Sequence, residues 1–516
     1  MEARKSRLLA HALRRAEAMR TQAHPRWRAV LFPLVGFVSL VWFLVRVVPK
    51  PSRAGYPCQR VAAPLASSFV LWLLAMSGAG VALRAARERF KSARAVAGVA
   101  CLVLGVVGVV WALGTMPQPA RADYAPHPSN QPMGVAQGLA PGRVVWVHDP
   151  AVTDWPGPDT GTRWYDHVDQ EVTGQMLSAA LQAYTGVDTD LVAWNALFRY
   201  LNGGSGYSAG EKVAIKINLV TTNARMPLVD EEYNQLESDV YGVTFDSIAN
   251  APQLLHALLD QLVNVAGVHQ SDITIGDPTG LFVNYLYEPL HADFADVHYW
   301  DNRGTLGRTR AELGTVPLYW STPDATGTTQ DYLPLAFEQA DYIINLAILK
   351  SHHGAGITVG AKNHYGSLVR NPDGYMRGKP NTGPPPYNGY YDMHATLPGD
   401  GFRGDWSATL MGQYRALVDV IGHEAIADKT VLYLVDGLFG GKHWLSEPSR
   451  WDMPPFDGDW PSSLFLSMDP VALDSVARDL LSQQWPEDVL MYEGVEDYLH
   501  EAALAGNPPS GTFYDP

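Results

Sequence analysis

The sequence predicts an α/β protein with three N-terminal transmembrane helices, followed by a layered α/β domain with a largely parallel sheet and long inserted loops. Three observations predict this class. Three apolar stretches lie near the N-terminus, the charge differs sharply between the two parts of the chain, and short apolar runs alternate with helical segments in the remainder. At about 150 residues per domain, the 516 residues correspond to two to four folding units.

The apolar stretches cover residues 29–48, 61–83 and 95–116, and the second and third contain no charged residue. A helix that crosses the hydrocarbon core needs about 20 apolar residues. A cleavable signal peptide is the alternative for the first stretch, but that stretch is long for one and two more follow it. We therefore predict a three-helix membrane anchor over residues 29–116, preceded by a basic N-terminal segment, residues 1–28.

The charge distribution predicts the orientation of this anchor. Residues 1–119 hold 17 Lys and Arg against 3 Asp and Glu, and the remainder has a balance of −29. The basic residues concentrate before the first stretch and between the second and third. The positive-inside rule therefore predicts an integral membrane protein with a cytoplasmic N-terminus and an extracytoplasmic C-terminal domain. The acidic remainder argues against a nucleic-acid partner.

The chain has two cysteines, Cys58 and Cys101, and both precede the acidic part. Residues 117–516 therefore carry no disulfide, no thiolate nucleophile and no cysteine-ligated iron–sulfur cluster or zinc site. Their chemistry must use oxygen, imidazole, amine or backbone groups.

Residues 117–142 are rich in Pro, Gly, Gln and Ala and predict an extended linker. The domain over residues 143–516 then contains apolar runs of strand length, many of them β-branched. The predicted strands are residues 143–148, 212–219, 272–275, 342–349, 431–435 and 463–467. Segments with helical spacing cover residues 172–184, 191–201, 252–266, 408–421, 470–482 and 495–503. Such alternation is typical of a parallel sheet covered by helices.

Polar residues follow several of these strands, and three long polar stretches, residues 222–248, 277–335 and 371–407, predict inserted loops. In open α/β sheets, ligands bind beyond the carboxyl ends of the strands. The sequence therefore predicts one shared cleft at that edge of the sheet.

The densest set of chemically active residues is the segment 350–366, which directly follows a predicted strand. It holds two lysines, three histidines and four glycines. Glycines let backbone N–H groups approach an anion, and lysines supply positive charge. The spacing matches neither a P-loop nor a dinucleotide fingerprint, and a structural turn is the alternative interpretation. The predicted anion-binding residues here are Lys350, Gly354, Gly356, Gly360, Lys362 and Asn363.

Acid–base or metal chemistry is predicted at His352, His353 and Asp436, which lies after a buried strand. A divalent metal held by the histidines with Asp436 or Asp469 is one interpretation. Histidines that hydrogen-bond a phosphate or carboxylate are the alternative, so the sequence leaves the metal open.

Four more residues are predicted to contact a small anionic molecule. Lys216 and Asn218 lie in an apolar strand, where a lysine is costly to bury without a partner. Asp469 precedes Pro470 and fits a helix N-cap. Asp474 lies five residues further on, near the same strand ends, and a purely structural role is the alternative for both carboxylates.

These residues resemble the DUF362 family, a domain of unknown function. The resemblance lies in the segments 216–219, 350–366 and 467–474 and extends over roughly residues 143–505. It implies a membrane-anchored member without the ferredoxin module of some relatives, and it implies a site but no reaction. The favoured hypothesis is an extracytoplasmic enzyme that acts on an anionic small molecule. The alternative is a non-catalytic module of the cell envelope that binds a metal, a cofactor or a partner.

Overall fold

The structure is a computed structural model, and it describes two parts of the chain. The first comprises residues 57–92 and isolated positions on either side (37, 40, 41, 45, 96, 97, 99–104 and 106). The second comprises residues 133–516 apart from 159, 205, 220–221, 223–228, 236–246, 322–329, 353–354, 369–411, 444–445 and 487–488. Residues 1–123 and 124–516 form two separate compact units.

The first unit contains one long described helix, α1 (Pro57–Lys91). It includes the whole second apolar stretch, residues 61–83. The same helix continues through Arg84, Arg87, Glu88 and Arg89 to its last residue. The first and third apolar stretches lie largely outside the described residues.

Within the described residues, the helices are all too short or too polar to cross a membrane. The predictions of three transmembrane helices, of a membrane partner and of an integral membrane location are therefore wrong. The cytoplasmic N-terminus and the extracytoplasmic domain depended on that anchor and are not supported either.

The second unit is an α/β structure, and its sheet is mostly parallel, as the sequence predicts. The described strands are β1 (Val145–His148), β2 (Val213–Lys216), β3 (Ile273–Gly276), β4 (His298–Asp301), β5 (Thr309–Arg310), β6 (Leu313–Tyr319), β7 (Gln330–Pro334), β8 (Tyr342–His352), β9 (Gly356–Thr358), β10 (Thr430–Gly441) and β11 (Ser463–Ser467).

The strand order in the main sheet is β1-β11-β10-β8-β2-β3-β4-β5, and β9 pairs with β8. The run from β10 to β5 is parallel throughout. At one edge, β11 and β1 are antiparallel, and β9 folds back antiparallel on the end of β8. All the residues of the long central strands β8 and β10 are buried.

The helices of this unit begin with α2 (Gln170–Thr185) and α3 (Asp190–Asn202). They continue with α4 (Pro252–Asp260), α5 (Asn284–Asp293), α6 (Leu335–Gln339), α7 (Gly360–Asn363), α8 (Ala416–Gly422), α9 (Glu424–Ala427), α10 (Pro470–Gln484) and α11 (Val489–Ala503). The last part of α4 continues as a π-helical turn over Gln261–Val265.

Helices cover both faces of the sheet, and alternate residues of one strand show this. Leu432 and Leu434 of β10 pack in the core that contains α2, α3 and α4. Tyr433 and Val435, which point to the other face, pack with α10 and α11. This two-sided burial is the reason why the central strands are continuous apolar runs rather than alternating ones.

The predicted strands and helices of residues 143–516 correspond to β1, β2, β3, β8, β10 and β11 and to helices α2, α3, α4, α8, α10 and α11. The stretch 277–335 is not an inserted loop, since it contains α5 and the strands β4 to β7. The stretches 222–248 and 371–407 lie mostly outside the described residues.

Residues 133–142 contact the domain, for example through Gln137 N, which donates to Asp469 at 3.0 Å. The proposed domain limits remain predictions.

Candidate functional site

The parallel strands bring three polar chain segments to one edge of the sheet. Lys216, the last residue of β2, lies opposite Gly276 of β3 and Asn345 of β8. Asp277 directly follows β3. Strand β8 continues beyond the end of β2, and this extension carries Lys350. The carboxyl ends of parallel strands share an edge, so side chains distant in sequence meet here.

Lys216 and Asp277 form a buried ion pair. Lys216 Nζ lies 3.0 Å from Asp277 Oδ2, and the two side chains are 0% and 4% exposed. Lys216 Nζ also donates to the carbonyl of Ile217 at 2.6 Å. The Asp277 carboxylate accepts from Leu219 N at 3.1 Å and from Thr279 N at 2.9 Å. Each charge therefore has several partners, as buried charges require.

Asn363, at the end of α7, connects this pair to the neighbouring strands. Its Oδ1 accepts from Lys216 Nζ at 3.3 Å and from Asn218 Nδ2 at 3.1 Å. Its Nδ2 donates to Asn345 Oδ1 at 2.9 Å. Asn218 in turn accepts from Lys350 Nζ at 3.2 Å. A buried network of this kind holds its side chains in one arrangement.

The third amine, Lys362, lies on the four-residue helix α7 and is 9% exposed. Its Nζ lies 4.1 Å from the centre of the Tyr365 ring. Within the part of the chain that the structure describes, no hydrogen-bond acceptor faces this nitrogen. We call Lys216, Lys350 and Lys362 the lysine cluster.

Burial lowers the pKa of all three amines. The pKa of Lys350 falls to about 7, because the side chain is desolvated and because the ammonium groups of Lys362 and Lys216 repel it. The pKa of Lys362 also falls to about 7, through desolvation and then repulsion by Lys216. Desolvation lowers the pKa of Lys216, although Asp277 opposes this shift. In their protonated forms the three amines outnumber Asp277, the one carboxylate among the described residues in electrostatic contact with them.

Two glycines allow the backbone to pass close to the ion pair. A Cβ at Gly366 would lie 3.1 Å from Lys216 Nζ and 3.4 Å from the Asp277 oxygens. A Cβ at Gly276 would lie 1.8 Å from the carbonyl oxygen of Trp300. A larger residue at either position would displace the strand end or the segment that covers it.

Asp474 of α10 positions the helix that carries Lys362. Its Oδ1 accepts from Gly360 N at 2.7 Å and its Oδ2 from Ala361 N at 3.1 Å. Burial raises the pKa of this carboxyl to about 7, and the two backbone donors oppose the shift. Asp474 therefore contacts the backbone of the site segment. The described contacts do not link it to the amines.

The other two predicted carboxylates have backbone partners of their own. Asp436 Oδ2 accepts from Ala251 N at 2.8 Å, and burial raises the pKa of Asp436 to about 6. Asp469 is the N-cap of α10 and accepts from Val471 N and Ala472 N, both at 3.0 Å. The structure therefore gives each of them at least a positioning role.

The two described histidines of the site segment have different hydrogen-bond partners. His352 Nδ1 accepts from Ala355 N at 3.0 Å. His364 contacts Ser367 through Nδ1, and its fully buried Nε2 has no hydrogen-bond partner among the described residues. Desolvation, with repulsion from Lys216, lowers the pKa of His364 to about 3. His353 and Gly354 lie outside the described residues, and Gly356 begins β9 with a φ of +78°.

The described residues contain no group of three or more His, Cys, Asp or Glu side chains that could hold a metal ion.

A cavity of about 1110 Å³ lies elsewhere in this unit, around the N-terminus of α10, and includes Asp469 and Tyr433 in its wall. Its lining residues include neither lysine nor arginine. The basic residue in its wall is His500, so we assign the candidate site to the lysine cluster, where three amines lie together.

Asp277 and Asn345 belong to this network but are not among the site residues predicted from the sequence. Asp277 directly follows a predicted strand, and Asn345 is a polar residue inside an apolar run, so each carried a usable signal. Their contacts with Lys216 and Asn363 depend on strand pairing, which the sequence does not specify.

Comparison with known proteins supports the resemblance in part. The family model described as "Domain of unknown function (DUF362)" matches residues 249–479. That range includes Lys350, Lys362 and Asp474, and it leaves Lys216 and Asn218 outside. The family description states no activity.

Two curated relatives are Lys-gingipain and Lys-gingipain 381, both from Porphyromonas gingivalis. Each is 34% identical to this chain over 100 residues, which is 19% of the chain. The match spans only 5% of the length of these relatives. No solved structure matches.

Proposed function

We propose that this chain is an enzyme that binds an anionic small molecule at the lysine cluster. The single observation that supports the proposal is that the buried amines of the cluster outnumber the carboxylates beside them. Three amines are at least nine-tenths buried, and Asp277 is the one carboxylate among the described residues in electrostatic contact with them.

A bound anion would neutralise the positive charges of the lysine cluster for which Asp277 is not sufficient. Buried charges without partners are costly, and a bound anion with several negative oxygens can accept from more than one ammonium group. Lys216 already has Asp277, and Lys350 has a neutral acceptor in Asn218. Among the described residues, Lys362 Nζ contacts the face of the Tyr365 ring. We therefore place the anion against Lys350 and Lys362, with Lys216 behind them.

The same amines suit proton transfer. A group whose pKa lies near the working pH exchanges protons most effectively, and Lys350 and Lys362 each have a pKa of about 7. His352 and Asp436 stay candidates for acid–base roles. A binding protein without catalysis would use the same cluster, so binding and turnover need separate tests.

Calorimetric titration of the full chain with inorganic phosphate at low salt tests the binding. We expect saturable binding to the wild type, and at least a tenfold loss of affinity in Lys350→Met and in Lys362→Met. Lys212→Met is the matched control, because Lys212 is exposed and lies outside the cluster. Equal affinity in all four proteins would contradict the anion site.

An NMR assay with phosphomonoesters and 2-oxo acids tests turnover. We expect the wild type to consume at least one of these compounds and Lys350→Met to consume it much more slowly. A protein that binds phosphate through the cluster but converts none of them would contradict the enzymatic part of the proposal and leave the binding part in place.

A further inference from the structure

The three amines of the lysine cluster differ in how far their nitrogens are engaged. Lys216 Nζ donates to three oxygens, those of Ile217, Asp277 and Asn363. Lys350 Nζ donates to Asn218, and its side chain is fully buried. Lys362 Nζ has no hydrogen-bond acceptor among the described residues, and its side chain keeps a small exposed fraction, 9%.

We propose that Lys362 is a nucleophile that forms an imine with an aldehyde or ketone carrying a carboxylate or phosphate group. This inference rests on the proposed anion site, and it names both the substrate class and the residue that becomes covalently linked. In this arrangement Lys350, with the charge of Lys216 behind it, holds the anionic group, while Lys362 in its neutral form reacts with the carbonyl.

The covalent step is balanced without an oxidant or a reductant. The lone pair of neutral Lys362 Nζ attacks the carbonyl carbon, the C=O π electrons move to oxygen, and that oxygen takes a proton. The nitrogen loses a proton, water leaves from the carbinolamine, and a C=N bond to Lys362 remains. The overall change is one amine and one carbonyl to one imine and one water.

The surroundings favour this step in two ways. A lysine is activated as a nucleophile when it is desolvated or lies beside another cation, because both effects favour the neutral amine. Lys362 meets both conditions, since it is nine-tenths buried and Lys216 repels its charge. The Tyr365 ring, 4.1 Å from Nζ, offers a flat face on which a planar iminium group can stack.

Lys350 is the neighbouring proton donor in this arrangement. The pKa of Lys350 is lowered partly by the charge of Lys362, so the two amines interact directly through space. When Lys362 is neutral, Lys350 holds its proton more firmly and can donate it to the carbonyl oxygen. One amine therefore acts as nucleophile and the other as acid.

Reductive trapping tests the inference. The full chain is incubated at pH 7 with glyoxylate, an anionic aldehyde, and sodium cyanoborohydride, and the modified lysines are located by peptide mass spectrometry. We expect Lys362 to be modified at least about tenfold faster than exposed Lys212, because an amine with a pKa of about 7 is about half neutral at this pH, whereas an ordinary lysine is almost entirely protonated. Glycolaldehyde, a neutral aldehyde of similar size, should show much less preference for Lys362.

The variant Lys362→Arg keeps the positive charge but cannot form an imine that cyanoborohydride reduces. It should lose the specific modification. Inorganic phosphate should slow the modification of Lys362 in the wild type. Preferential modification of Lys350, or equal modification of Lys362 and Lys212, would overturn the inference.

These results separate the two proposals. Phosphate binding that depends on the cluster, without trapping at Lys362, would overturn the imine and leave the anion site. Trapping at Lys362 that phosphate does not slow, in a chain that fails to bind phosphate, would contradict the anion site.

Discussion

The Lys216 ammonium lies 3.0 Å from a carboxylate oxygen of Asp277, and this buried ion pair joins the carboxyl ends of two adjacent parallel strands. The two residues are 61 positions apart in the chain. Asp277 is also the one carboxylate, among the described residues, that opposes the positive charge of Lys350 and Lys362. Asp277 is therefore the counter-ion of Lys216, and Lys350 and Lys362 have no carboxylate of their own among the described residues.

Removal of Asp277 should destabilise the chain strongly. Asp277→Ala leaves the buried Lys216 ammonium without its counter-ion, and breaking a buried pair in this way costs about 3–5 kcal/mol. Urea denaturation followed by circular dichroism measures the loss. Asp293→Ala is the control, because its partner His256 forms an ion pair in which Asp293 is 63% exposed, and it should cost less than about 1 kcal/mol. A similar small loss for both variants would contradict the structural importance of the Lys216 pair.

The lysine cluster should make stability depend on pH in a defined direction. The pKa of Lys362 is about 7 in the folded chain and about 10.4 when unfolded, so the unfolded state binds more protons between these values. The free energy of unfolding contributed by this group therefore rises with pH across that window, and its penalty is fully present below pH 7.

Lys362→Met removes this penalty, so the variant should exceed the wild type in unfolding free energy at pH 6. The difference should shrink towards pH 10, and its total change is about 1.4 kcal/mol for each unit by which burial lowers the pKa. Denaturation at several pH values measures it, with exposed Lys212→Met as the control that should show no such trend. A difference between Lys362→Met and wild type that is constant from pH 6 to 10 would argue against a buried amine at Lys362.

A negative charge at Asn363 should weaken anion binding. Asn363→Asp keeps the side-chain size and places a carboxylate about 3.3 Å from Lys216 Nζ, where the amide oxygen lies now. Phosphate affinity should fall at least tenfold in calorimetric titration, because close charges in a buried site interact by several kcal/mol. Asn264→Asp adds the same charge at an exposed position of the π-helical turn and should leave the affinity unchanged. Equal effects of the two variants would mean that only the net charge matters.

Asp474 should act on the site through α7. Asp474→Ala leaves the N–H groups of Gly360 and Ala361 without acceptors, and each buried unsatisfied donor costs about 1–3 kcal/mol. Asp474→Asn keeps one oxygen acceptor and should lose less stability. Both variants should bind phosphate more weakly than wild type, in the same order, because Lys362 lies on this helix. Unchanged phosphate affinity in folded Asp474→Ala would show that α7 is positioned by other contacts.

Much of the sheet was predictable from residue patterns alone. The strand predicted over residues 463–467 matches β11, and the run beginning at residue 342 forms β8, because long buried strands must be continuously apolar. Strands β4 to β7 and β9 were missed, since they are short, mixed in polarity or paired at an edge. Pro317 within β6 further obscured the pattern.

The candidate site was predictable in part. The concentration of amines, imidazoles and glycines over residues 350–366 identified Lys350, Lys362 and Asn363. Lys216 stood out because a lysine inside an apolar strand needs a partner. The transmembrane prediction depended on the length of three apolar stretches and was wrong, because the described helices are not long and apolar enough to cross a membrane.

By itself, the sequence determined which segments must be buried, and therefore that a mostly parallel α/β sheet forms and that its buried lysines need partners. Only the tertiary structure decided that Asp277 pairs with Lys216, that Asn363 joins Lys216 to Asn218 and Asn345, and that Lys362 is left without a described acceptor. The physical reason is that burial is a property of local composition, whereas an ion pair depends on which strands lie side by side.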